Sequence, residues 1–293
     1  MGAKRRSLWA YRHFYLFISP FFILFAVLGL YPLVFSFVLS FARWDGLTEA
    51  HWVGLNNFVN LFGDELLREA LWNTLVLGFL YVPPMLIGAF ILACLLNTGW
   101  LRGRAFFRAA VFIPVITPMV VVALVFGLLY DYESGIFNYV LGLFGIAPVP
   151  WLVDEDWSKP ALAILLVWRW TGYNMVLMLA GLQSISKEYY EAALLEGAGP
   201  LQRLRYITLP LMRPVFLFCG IMSLIGTVYM FDEIFVMTSG GPGASSLNIG
   251  LYLFNVSFVD FRFGYASTIA YTVAFFVFIA TLFIFRFQRS EGN

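Results

Sequence analysis

Six apolar runs, each long enough to cross a bilayer, constrain this chain more than any other feature. They cover approximately residues 14–41, 71–96, 106–130, 161–182, 215–237 and 265–285. At 1.5 Å per residue, each run as a helix spans a hydrocarbon core of ~30 Å. With lipid as solvent the backbone must satisfy itself, so the expected fold is all-α: a polytopic membrane protein of six transmembrane helices. Composition agrees. Of 293 residues, 61% are hydrophobic and 12% charged, and the mean hydropathy is +0.83. A soluble domain of this size carries far more polar surface. Pro20, Pro32, Pro83, Pro84, Pro114 and Pro118 lie inside the first three runs, as bends beside a pathway or as packing kinks.

The basic residues give the orientation. With the N-terminus inside, cytoplasmic segments hold Lys4, Arg5, Arg6, Arg12, Arg102, Arg104, Arg108, Lys187, Arg203, Arg205, Arg213, Arg286 and Arg289. The outer loops hold only Arg43, Arg68, Lys159 and Arg262, and Arg169 falls in a span. The excess of positive charge inside places both termini in the cytoplasm. Trp9, Trp44, Trp52, Trp72, Trp100, Trp151 and Trp157 sit at or beyond span ends, as interfacial anchors do. Lys4, Arg5 and Arg6 precede the first run, and Ser40 and Ala42 have the spacing of a signal cleavage site. The run is too long for a signal peptide, so a retained helix is expected.

Several classes of chemistry are excluded. The net charge is +1, which gives no electrostatic basis for nucleic-acid binding. The only histidines are His13 and His51, with no H-E-x-x-H pattern, so no catalytic or metal-ligating set is expected and the chain is not read as an enzyme. Cys94 and Cys219 lie in apolar runs and read as buried hydrophobes. None of Lys4, Lys159 and Lys187 follows the glycine a phosphate-binding loop requires.

Residues 183–214, between the fourth and fifth runs, differ from the rest. Ser186 suits an N-cap, and Glu188 suits the first turn. Tyr190, Ala193, Leu194 and Gly197 fall on one helical face. Gly197 can end that helix in a left-handed conformation. Pro200 can open a second helix, with Pro210 and Pro214 expected to mark its end and the entry to the fifth span. A structured, partly apolar hairpin at the membrane surface suggests docking of a partner protein.

Glu191-Ala192-Ala193, Gly197, Ile207, Leu209 and Pro210 together resemble the EAA loop of ABC importer permeases: E-A-A, three residues, G, nine residues, I, any residue, L-P. Val53-Gly54-Leu55-Asn56-Asn57-Phe58 with Asn73-Thr74 is similar to the outer loop and second span of sugar permeases. So are Arg104-Ala105-Phe106-Phe107-Arg108 with Pro114, Phe231-Asp232-Glu233-Ile234 with Thr238-Ser239-Gly240-Gly241-Pro242, and Asp260-Phe261-Arg262-Phe263-Gly264-Tyr265-Ala266. The resemblance covers nearly the whole chain from residue 14. It points to the carbohydrate-uptake group, of maltose and glycerol-phosphate type, with the ABC type I importer permease fold. Glu196 departs from that family, which more often has Asp before the glycine. The large periplasmic insertion of the maltose system's longer permease is absent.

The resemblance implies a machine of several chains. Its parts are a second permease, with a heterodimer favoured, two cytosolic ATPase subunits, an extracytoplasmic sugar-binding protein and a sugar substrate. This chain would sit as a multi-pass protein of the bacterial inner membrane and bind no cofactor, with ATP and Mg held by the partner ATPases. The implied organisation is a cytoplasmic tail (1–13), a first helix with its outer loop (14–70), the permease transmembrane domain (71–288, coupling loop 183–214) and a tail (289–293). ATPase coupling falls on Glu191, Ala192, Ala193, Glu196, Gly197 and Ala198. The substrate pathway, carried over from the maltose system, falls on Thr171, Gly172, Met175, Ser223, Gly226, Thr227 and Met230. Small residues at that spacing equally suit helix packing, and only one of two paired permeases need hold the sugar. Asn174, Asp232 and Glu233 are polar candidates for a gate or cavity wall, and Arg169 reads as cavity lining or as a structural pair. The rival readings are an ABC permease for a non-sugar solute and a secondary transporter, which would predict inverted repeats that the sequence lacks.

Overall fold

The computed structural model describes residues 12–98 and 102–290. Lys4, Arg5, Arg6, Trp9, Trp100 and the last residues of the expected C-terminal tail lie outside the described residues, as does the side chain of Arg289. The chain divides into two compact units, one of 64–252 and one of 1–63 with 253–293. This division groups the last helix with the first and does not follow the expected boundaries near residues 14, 71 and 288.

In the larger unit, α4 (Glu65–Asn97) and α8 (Glu155–Ser184) form the central pair. Asp64 caps α4 by accepting the Leu67 N–H at 2.9 Å, and Asp154 caps α8 by accepting from Asp156 and Trp157. Ala89 and Ala93 on α4 are fully buried, which lets α8 come close and pack Met175, Met178, Leu179 and Leu182 against them. Met212 and Cys219 close this core from α11 (Leu209–Val228). Cys219 is buried as expected, and Cys94 is half-buried.

Three expectations need correction. The third apolar run is not one straight span. It is α5 (Arg104–Ile116) and α6 (Met119–Leu129), bent by 96°. Pro118 drives Thr117 to an extended ψ of 134°, which ends α5 one residue earlier. Among the described residues, five helices are long and apolar enough to span, and six spans result when this bent pair counts as one. Second, Pro210 and Pro214 do not end a helix. The helix from Pro200 runs on to Val228, because a π turn at Leu204–Thr208 precedes Pro210 and the Leu209 N–H reaches back five residues to the Leu204 carbonyl. That widening gives the proline ring room beside the preceding turn. The fifth span therefore ends at Val228, and α12 (Asp232–Met237) follows a break. Third, Trp151 is no interfacial anchor. It is buried against Tyr130 and Phe137, and its Nε1 donates to Asn138 Oδ1 at 2.9 Å.

The smaller unit has a first span, Arg12–Leu39, with the same π device: a π turn at Ala26–Leu30 comes just before Tyr31-Pro32. Its second half, α2 (Tyr31–Leu39), packs on α14 (Phe263–Ser290). Thr268 Oγ1 donates to the Ser40 carbonyl at 2.9 Å, and Ser36 shares a 3.0 Å hydrogen bond with Tyr271. Gly264 sits against the Ala42 carbonyl, where a Cβ would lie 2.0 Å from the oxygen. A two-residue antiparallel ribbon, β1 (Ala42–Arg43) with β2 (His51–Trp52), follows the span, and α3 (Asn56–Asn60) comes next.

Candidate functional site

The structure places the expected functional residues in two regions of the larger unit. The first is the hairpin between α8 and α11. Ser186 accepts the Glu188 N–H at 3.3 Å and opens α9 (Lys187–Leu195). Gly197, at φ +80°, closes it: its N–H donates to Leu194 at 3.0 Å and the Ala198 N–H donates to Ala193 at 2.8 Å. These paired bonds form a left-handed helix stop, a conformation only glycine adopts without strain. Gly199 then donates to the Gln202 side chain at 2.7 Å as Pro200 starts the next helix. Tyr190 and Thr208 bridge the two arms at 3.0 Å. Glu191, Ala192, Glu196 and Gly197 are exposed, whereas Ala193 and Ala198 are half-buried on the inner side. Leu195, at 91% exposure, stands beside Glu191 and Glu196 as an apolar residue with nothing to cover it among the described residues.

The second region is a cavity of about 430 Å³ between α4, α8, α11 and α12. Asn174, Ser223, Gly226, Met230, Asp232 and Glu233 line it. Thr171, Gly172, Met175 and Thr227 do not. Thr171 lies against Gly88, and Met175 is buried in the α4–α8 core. Gly172 is a helix contact, since a Cβ there would lie 2.0 Å from the Val111 carbonyl oxygen of α5. Thr227 stands behind the wall, sharing a 2.8 Å hydrogen bond with Tyr81, whose hydroxyl also donates to the Ser223 carbonyl. The sequence reading omitted the aromatic part of the lining: Tyr81, Trp170, Tyr173, Tyr229 and Phe231. The signal was present. Trp170, Tyr173 and Asn174 share one face of α8, and Met222 and Gly226 share one face of α11, which Tyr229 at its C-cap extends.

Among the described residues Arg169 takes neither a lining role nor an ion pair. Its Nη1 donates to the carbonyls of Pro114 and Thr117, each at 3.0 Å, where the bend leaves the C-terminal carbonyls of α5 without helical partners. A fixed cation at a helix C-terminus also opposes the helix dipole.

At the far end of the unit, segment 238–248 is held by residues distant in sequence. Asn73 Nδ2 donates to Ala244 and Leu247, Lys159 Nζ donates to Ser245 at 2.6 Å, and Asn248 Nδ2 donates to Met230 at 2.6 Å. Thr74 Oγ1 accepts the Ile249 N–H at 3.1 Å. The Asn73-Thr74 and Thr238–Pro242 motifs are thus two sides of one assembly that fixes the end of the cavity at Met230.

Comparison with known proteins adds an independent line. Residues 85–289 match the model of the binding-protein-dependent transport system inner membrane component. A lactose transport system permease protein of Rhizobium radiobacter is 37% identical over 282 residues, covering 94% of each chain. A trehalose/maltose transport system permease protein of Thermococcus litoralis is 34% identical over 278 residues, again covering 94% of each. A chain in the crystal structure of a bacterial alginate ABC transporter, in complex with an alginate pentasaccharide-bound periplasmic protein, superposes with a TM-score of 0.84. It has 22% identity and 98% of both chains covered, and this likeness shows the fold.

Proposed function

The chain belongs to the binding-protein-dependent transport system inner membrane component family, and on that premise we propose that it is the membrane permease of an ATP-driven importer of saccharides. One observation carries the mechanism. The hairpin's second arm and the fifth span are a single helix, Pro200–Val228. By its length this rod reaches roughly 44 Å. One end carries the exposed Glu191 hairpin, and the other carries Ser223 and Gly226 into the cavity. A push on the hairpin therefore reaches the cavity wall without crossing a flexible joint. This is what rigid-body alternating access needs.

In this reading Glu191, Ala192, Ala193, Glu196, Gly197 and Ala198 dock on a cytosolic ATPase subunit. Glu191 supplies a polar contact and Leu195 an apolar one. ATP and Mg bind in two such partners. A second permease completes the pathway, and an extracytoplasmic binding protein delivers the sugar. Both termini face the cytoplasm. The cavity suits a saccharide: the rings of Trp170, Tyr173 and Tyr229 offer flat apolar faces, while Asn174, Ser223, Asp232 and Glu233 offer hydrogen-bonding groups. The lactose and trehalose/maltose permeases among its relatives support the substrate class.

Glu191→Cys in the assembled importer tests the docking role. It should crosslink to an ATPase subunit, and Glu191→Ala should abolish uptake while the chain still inserts. A crosslink formed only with extracytoplasmic proteins would overturn both the docking and the orientation. Tyr173→Ala tests the cavity. It should raise the saccharide concentration needed for half-maximal uptake and leave hairpin crosslinking unchanged.

A further inference from the structure

The smaller unit contains a second hollow, of about 730 Å³, formed by the β1–β2 ribbon, α3 and the turn that enters α14. It unites two motifs of the sequence that the transport cycle leaves without a role, Val53–Phe58 and Asp260–Ala266. We propose that this hollow binds a neutral saccharide.

Its walls hold hydrogen-bonding groups with no intramolecular use. Arg43, His51, Asn56, Asn60 and Asp260 line the hollow, and their side chains make no hydrogen bond or ion pair among the described residues. Asn56 and Asn60 are one helical turn apart, and Arg43 pairs with His51 across the ribbon, so these groups are set by regular structure. Asn57 is only 7% exposed. Its amide nitrogen donates to the carbonyls of Ser40 (3.1 Å) and Ala42 (2.9 Å), which fixes the amide's orientation at the hollow's wall. Asp45, by contrast, is engaged in its own turn. Hydrogen bonds from the Thr48 and Leu47 backbone and the Thr48 hydroxyl hold its pKa down to about 2.

The chemistry selects the ligand. Vicinal hydroxyls each donate and accept, and planar amide, carboxylate and guanidinium groups engage them in pairs. The exposed ring of Phe261, with that of Trp44, adds ring surface for the C–H faces of a sugar. Arg43 and Arg262 are balanced by Asp45 and Asp260, so nothing favours a polyanion, and the polar lining disfavours a lipid tail. The hollow is open to solvent on one side, and its volume has small-molecule dimensions, whereas protein docking uses a broad face of about 800 Å² per partner. This site shares no lining residue with the cavity assigned to transport, and the proposal does not rest on the transport reading.

The test uses the full chain in nanodiscs, where both faces are accessible. The reporter is Val53→Cys, at a lining residue with no hydrogen-bonding part in the site, labelled with a maleimide, and the parent chain gives the background from Cys94 and Cys219. Maltotriose should slow labelling saturably, by on the order of tenfold at ten times its dissociation constant. The protection should be lost when Arg43→Gln or Asp260→Asn is added, with an unchanged unfolding temperature. A Glu133→Cys reporter should label at the same rate with and without sugar. Three results overturn the proposal: no saturable protection, equal slowing at Glu133→Cys, or protection given only by an added extracytoplasmic binding protein, which would make the hollow a protein-docking surface. None of these readouts involves uptake, so a failure here is separable from a failure of the importer assignment.

Discussion

The first span and α8 are both membrane-length helices, and they solve opposite problems. Arg12–Leu39 is the most apolar of the spanning helices, yet only 6% of its most apolar stretch is buried within the chain. Glu155–Ser184 is the least apolar of them, and 56% of the corresponding stretch is buried. In water the order would be reversed. In a bilayer the lipid accepts apolar side chains, so burial has to be argued from packing and hydrogen bonds. That is why Arg169, Gly172 and Asn174 all sit on α8. Hydropathy in this chain reports which helix faces lipid or a partner. The polar and small residues report which helix forms the centre.

The most direct way to break this contrast is the same substitution on both helices. Gly172→Ala puts a Cβ 2.0 Å from the Val111 oxygen and 2.8 Å from its carbon. These are backbone atoms of α5 that cannot rotate away. The expected loss is about 1–3 kcal/mol or more, seen as a lower unfolding temperature in detergent. Gly29→Ala in the first span meets only the Phe25 ring, at 3.4 Å. It should be neutral or slightly stabilising, because alanine has the better helix propensity. Equal losses at the two sites would mean that the first span is as tightly packed as α8.

Arg169→Met comes next. It keeps the length of the side chain but leaves the Pro114 and Thr117 carbonyls without donors. A buried unsatisfied group costs roughly 1–3 kcal/mol, so the unfolding temperature should fall and the α5–α6 bend should become more accessible to hydrogen exchange. Arg169→Lys should recover only part, because an ammonium is a compact donor and cannot present the same planar fork.

The hairpin at the end of α8 sharpens the contrast in a third way. A Cβ at Gly197 would meet nothing within 4 Å, so Gly197→Ala carries only the strain of φ +80°. That strain costs about 1–2 kcal/mol. It falls on the helix stop and not on the membrane core. The unfolding temperature of the spans should hold, while uptake per ATP hydrolysed drops in the assembled importer. A variant with unchanged coupling would show that the hairpin tolerates a different stop.

How much of this was legible follows from where each signal lives. The spans, the Ser186 cap and the Gly197 stop are local in sequence, and the residues themselves specify them. The break at Thr117–Pro118 was half-legible. Pro118 announced a bend, but its size depends on Arg169, which supplies carbonyl partners from 52 to 55 residues away. The continuity of Pro200–Val228 was hidden, because prolines normally end helices and only the π turn at Leu204–Thr208 removes the conflict. In the cavity, the resemblance to the maltose system carried over Ser223, Gly226 and Met230, which line the wall, but also Thr171, Gly172 and Met175, which pack on other helices, and Thr227, which stands behind the wall. Periodicity names a face of a helix. It does not say which neighbour that face meets, and the ring of Tyr81 enters the wall from α4, a helix that no local pattern connects to α11.

The smallest expected effect is the most diagnostic for the first span. Phe17 is 83% exposed in the chain by itself, whereas Leu166 on α8 is fully buried. Leu166→Ala should cost about 2–5 kcal/mol through lost contacts and the cavity left behind. Phe17→Ala should change the stability of the isolated chain by less than about 0.5 kcal/mol, since its ring contacts only the surrounding detergent or lipid. The same Phe17→Ala can then be measured in the assembled importer. A loss that appears only there assigns the apolar face of the first span to the second permease. No change in either setting assigns it to lipid. A large loss in the isolated chain would remove the distinction between the two helices, because the most exposed span would then be holding the fold together.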